Sequence, residues 1–125
     1  MFQKLLWIAI AGALGALARY GFGGLVQRHF GGSFPWGTFA VNVLGCFLFG
    51  LIWSLAEDRM LISSQVRTIA LVGFLGAFTT FSTFVFETGE FLRDSQWLFA
   101  IANVALQNTV GIVFLFLGLA LGRAI

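Results

Sequence analysis

The chain has 125 residues, of which 59% are hydrophobic and only 10% charged, with a formal charge of +2 and a mean hydropathy of +0.96. Water solvates such a composition poorly, which excludes an ordinary soluble domain. Seven basic residues scattered among five acids offer no basic run to track phosphates, so nucleic acid is not a partner.

A hydrocarbon core roughly 30 Å thick takes about 20 helical residues to cross. Hydrophobic runs divide the chain into four such spans within one transmembrane domain covering residues 1–125. The first is predicted over about 4–27. Its opening residues, Lys4, the run Leu5 to Leu14 and Ala16-Leu17-Ala18, imitate a secretory signal. Apolar and glycine-rich residues continue to Val26, however, making the segment long enough to stay and span. The connector from Arg28 to Pro35 holds His29, two glycines and the only proline, a mixture suited to a turn at the membrane surface. The second span is predicted over 36–56, ending before Glu57-Asp58-Arg59. The third is predicted over 65–91 and the fourth over 96–122. Trp36, Trp53 and Trp97 fall near span ends, where amphipathic rings prefer the interface. The lone Cys46 has no second thiol for a disulfide or a shared metal and reads as packing.

Four spans place both termini on one side. Lys4, Arg59, Arg67 and Arg123 then share a face, opposite Arg28 and Arg93, with Arg19 near the second group. So small a difference barely orients the chain, and insertion in both directions is predicted. Dual topology would permit an antiparallel homodimer with two-fold symmetry.

Polar groups at membrane depth carry the sharper signals, because amide and ionisable side chains in hydrocarbon cost several kcal/mol unless paired or wetted. Arg19 lies deep in span one and either snorkels to the interface or lines a subunit contact or vestibule. Thr38, Asn42 and Gly45 share one face of span two, and Asn42 offers two N–H donors in place of water to a dehydrated anion. Asn103 and Gln107 share a face of span four, with Asn108 adjacent; all three should face protein or water. The stretch Gly73 to Phe84 packs two glycines, four hydroxyls and four phenylalanines into twelve residues. Glycine and hydroxyl residues weaken a helix, so a break is predicted near Gly76 to Thr80, buried in protein or facing a cavity. Carbonyls freed there in two copies could hold a cation. Phe78, Phe81 and Phe84 recur every third residue, and a continuous helix would set them in one stripe, either core packing or ring edges offered to an anion. Glu87, one turn past Thr83, is an interface carboxylate or a pore residue.

Gly15 to Tyr20 with its Ala-Arg-Tyr ending, Asn42-Val43-Leu44-Gly45 and above all Gly73 to Phe84 resemble the Fluc family of small dual-topology fluoride channels, over essentially the whole chain. The resemblance implies an all-α membrane fold, two antiparallel subunits enclosing two fluoride pores, and residence in the cell inner membrane. It further implies Asn42 as a pore donor, Phe81 and Phe84 presenting ring edges to fluoride, and Ser82 and Thr83 forming a polar track. Glu87 matches a carboxylate near one pore end. A structural sodium ion between subunits would be held by the carbonyls of Gly76 and Thr79. Asn103 and Gln107 depart from the family pattern, which has smaller or aromatic polar residues there.

Two other classes compete. A proton-coupled multidrug exporter of similar size needs a carboxylate in its first span, and residues 4–27 contain none. A non-transporting assembly subunit would account for the glycines and tryptophans but predicts no anion flux. One loop histidine and no paired carboxylates supply no acid–base constellation, so an enzyme is not expected.

Overall fold

The computed structural model describes residues 1–125 and is entirely helical. Helix α1 runs Phe2–Phe30. It stops where Gly31 and Gly32 adopt positive φ (65° and 75°), a conformation other residues resist. Helix α2 covers Trp36–Asp58. Its last five residues, Ser54–Asp58, widen into i→i+5 turns. The third span, Ser64–Arg93, is two helices rather than one. We call residues 64–78 α3 and Ser82–Arg93 α4. Helix α5 runs Trp97–Ala124.

All four spans are long and apolar enough to cross a membrane. The chain is thus a multi-pass membrane protein whose helices need lipid or protein on most of their surface. Helix α1 is the extreme case: 6% of its most apolar window is buried. Its contact with α3 depends on small residues, since a Cβ on Gly15 would strike the Phe74 carbonyl and one on Gly73 would approach the Ala11 Cβ to 2.9 Å. Helices α2 and α5 touch backbone to backbone, Gly50 against Leu115 and Gly118 against Phe47. Dispersion contacts of this kind hold helices together in lipid, which offers no hydrophobic driving force. Val41, Leu71, Leu75 and Phe78 form the small buried core where α2 and α3 meet.

One end of the bundle is tied by charge. Arg123 donates to the Asp58 carboxylate (2.9 Å), Ser54 donates to the same oxygen (3.0 Å), and Arg59 donates to the Arg123 carbonyl (3.1 Å). Arg67 pairs with Glu57 and lies 5.2 Å from the centre of the Trp53 ring. Arg59, Arg67 and Arg123 therefore do share an end, as the span count predicts.

The break overlaps the expected stretch Gly76 to Thr80 at its far end, running from Thr79 to Phe81. Gly76 keeps helical angles (φ −59°, ψ −34°), whereas Thr79 is extended (φ −87°, ψ 162°) and helix resumes only at Ser82. Glycine permits a break without requiring one, and the chain opens where side chains from other elements replace the lost backbone bonds. Phe78, Phe81 and Phe84 consequently form no stripe. Phe78, 3% exposed, joins the core and stacks on Phe74 (5.7 Å between centroids), while Phe81, beyond the break, is 76% exposed.

Candidate functional site: the break in the third span

Opening a helix inside a membrane frees backbone groups that must find partners. Two other helices and the break's own threonines provide them here. From α1, Arg19 Nε donates to the Ala77 carbonyl (3.0 Å). From α2, the Asn42 side chain makes a two-bond ring with Thr80: Oδ1 accepts from the Thr80 N–H (2.8 Å) and Nδ2 donates to the Thr80 carbonyl (3.0 Å). Thr79 returns its own hydroxyl to the Leu75 carbonyl (2.9 Å), and the Thr80 hydroxyl accepts from the Thr83 N–H (3.2 Å) as an N-terminal cap for α4. The carbonyls of Gly76 and Thr79 accept no hydrogen bond within the chain.

The face of α2 that carries Thr38, Asn42 and Gly45 meets the third span at three levels. The Thr38 hydroxyl donates to Glu87 Oε2 (3.0 Å). Asn42 clasps Thr80. A Cβ on Gly45 would strike the Thr79 methyl group, so glycine alone lets the extended strand of the break lie against α2.

Two grooves flank this junction. One, of about 400 Å³, is lined by Asn42, Gly76, Thr79, Phe81, Phe84 and Gln107 among others. The second, of about 330 Å³, is lined by Arg19, Tyr20, Thr38, Thr83 and Glu87. Thr80 borders both. The expected pore residues are thus divided, with the amide and the rings on one side and the hydroxyls and the carboxylate on the other. Ser82 is exposed and borders neither groove. The Phe81 and Phe84 rings lie 6.0 Å apart and tilted by 54°. An aromatic ring carries its positive potential at the edge, so tilted rings can direct edges at an anion. Glu87 Oε1 is buried without a partner.

Asn103 and Gln107 are interior groups, 0% and 8% exposed. Gln107 Nε2 donates to Asn103 Oδ1 (3.0 Å), and Asn103 Nδ2 to the Thr88 hydroxyl (2.9 Å). Asn108 instead bonds the Val104 carbonyl of its own helix (2.8 Å). Of the residues that matter here, Thr80 is legible in the sequence only as an end of the break, and Thr88 does not stand out. The four-residue step from Phe84 to Thr88 is the one available hint, since it puts the Thr88 hydroxyl on the Phe84 carbonyl (2.9 Å).

The chain is similar to known proteins over its whole length. Fluoride-specific ion channel FluC of Nitrosococcus oceani is 59% identical over 125 residues, all of both chains. Proteins of the same name from Solidesulfovibrio magneticus and Desulforapulum autotrophicum are 54% and 50% identical, also over the full length of each chain. The sequence profile of the family described as CrcB-like protein, Camphor Resistance (CrcB), matches residues 6–119, which reach into all four spans and contain the break, and the chain therefore belongs to the CrcB-like family.

Proposed function

We propose that this chain is the subunit of a fluoride-selective channel, which lets fluoride leave the cell passively through the inner membrane. The observation that carries this reading is the junction at the break, where Asn42 and the tilted rings of Phe81 and Phe84 line one groove. Full-length relatives named as fluoride-specific channels support it. Fluoride is small, hard and strongly hydrated, so a pore must replace its water with aimed donors and ring edges without holding it too tightly. Amide N–H and aromatic edge together provide that.

The conducting unit is an antiparallel homodimer. A four-helix subunit is too small to enclose a path, the open groove and the 76% exposed Phe81 need a second surface, and α1 is nearly bare. The near balance of positive charge at the two ends suits insertion in both directions. The free carbonyls of Gly76 and Thr79 fit a hard cation that takes oxygen ligands, so two copies would hold a sodium ion between them. That ion would supply fixed positive charge and is structural, never transported. Thr83 and Glu87 line the second groove toward one end, and the exposed Ser82 would join that polar lining only in the assembled dimer.

The test is passive efflux from liposomes carrying the purified protein, read with a fluoride-selective electrode and repeated with chloride loading. Rapid fluoride release without chloride release is expected. No release of either ion from folded, dimeric protein would favour an exporter or an assembly subunit instead.

A further inference from the structure

Asn42 has two N–H donors, and both are occupied. One closes the ring with Thr80, and the other goes to Gln107 Oε1 (2.8 Å). An anion in the groove that Asn42 and Gln107 both line can reach an Asn42 N–H only by displacing one of these acceptors. The Thr80 carbonyl is secured by a two-bond ring, whereas Gln107 is held to Asn42 by one bond, so Gln107 yields.

Gln107 cannot turn its amide to greet the ion with an N–H. The Thr80 N–H fixes which end of Asn42 is oxygen, and Asn42 Nδ2 therefore meets the Gln107 oxygen. Gln107 Nε2 is committed to Asn103 Oδ1, Asn103 Nδ2 to the Thr88 hydroxyl, and the Thr88 hydroxyl to the Phe84 carbonyl. The chain of donors starts and ends on backbone groups of the third span and runs in one direction, so each amide orientation is fixed by the next.

We propose that Gln107 is a built-in competitor for the Asn42 donor and that Asn103, by orienting Gln107, helps to set the affinity with which the groove takes up fluoride. Both are positioning residues that act through Asn42. The proposal rests on the fluoride-channel reading above. A side-chain oxygen that occupies the donor between ions replaces the water that would otherwise sit there, and it lowers affinity enough for the ion to leave.

The experiment is the fluoride dependence of efflux in wild type, Gln107→Met, Asn103→Leu and the double variant. Removing the competitor is expected to lower the half-saturating fluoride concentration by roughly fivefold, the equivalent of about one net hydrogen bond. Asn103→Leu shifts it in the same direction, and the double variant goes no further than Gln107→Met. A purely structural role would lower maximal flux without moving half-saturation. Unchanged or raised half-saturation in folded, dimeric Gln107→Met overturns the proposal, whereas a wild type that passes no fluoride overturns the channel reading beneath it. Should the variants fail to fold, solid-state NMR of wild type decides. The contact between Asn42 15Nδ2 and Gln107 13Cδ must weaken as fluoride rises, and its persistence at saturating fluoride refutes displacement.

Discussion

Asn42 and Thr80 exchange two hydrogen bonds, 2.8 Å and 3.0 Å, so a side-chain amide on one helix does the work of a missing turn on another. Asn42→Leu removes both bonds and strands a part-buried N–H and C=O, at up to about 1–3 kcal/mol each. Asn42→Asp keeps the acceptor for the Thr80 N–H but loses the donors and adds negative charge. We expect Asn42→Leu to lower thermal stability in detergent, and Asn42→Asp to assemble yet lose fluoride flux by more than roughly tenfold, since one charge-assisted hydrogen bond is worth about 1.5–3 kcal/mol. Normal flux in Asn42→Asp would remove the amide from the pore.

Phe81→Ile and Phe84→Ile retain bulk and apolar character while deleting the ring edge. An aromatic interaction of about 1 kcal/mol corresponds to a reduction in flux of roughly five- to tenfold for each, with assembly intact by size-exclusion chromatography. Wild-type flux in both would overturn the ring-edge mechanism.

Gly45→Ala places a methyl group on that of Thr79. Overpacking of this kind costs about 1–3 kcal/mol, here by pushing the extended segment away from α2 and stretching the Asn42 ring. A lowered melting temperature together with reduced flux is the expected pair of results, and an unchanged melting temperature would mean that the break can shift to make room.

Arg19→Met keeps an unbranched apolar stem but leaves the Ala77 carbonyl without its donor. Loss of about 1–3 kcal/mol is expected, with Arg19→Lys recovering part of it because a lysine supplies a donor without the fork of a guanidinium. Chemical denaturation in mixed micelles distinguishes this from a snorkelling arginine, whose removal would leave stability unchanged.

Much of this was legible from residue type alone. Four spans follow from hydropathy, and the expectation that span-four amides avoid lipid holds for Asn103 and Gln107, which are buried. The break was legible near Gly76 to Thr80 as a run of helix-weakening residues, but composition marks only a stretch. Its exact limits, Thr79 to Phe81, depend on where Asn42, Arg19 and Gly45 arrive from other helices. Phe78 illustrates the same limit, since a three-residue period assumes a continuous helix and the backbone between Phe78 and Phe81 is not one. The polar chain from Thr80 to Phe84 by way of α2 and α5 shows locally only in its two four-residue steps, Asn103 to Gln107 and Phe84 to Thr88, because its other links cross between elements.

The Ala77 carbonyl is served from the first span and Thr80 from the second, so these partners of the open backbone precede it in the chain. Until they dock, an open backbone there would face lipid with nothing to bond. Chain order therefore presents the third span to helices that already carry its partners, and the same four segments joined in a sequence that delayed the first two would leave the open backbone unserved until they arrived.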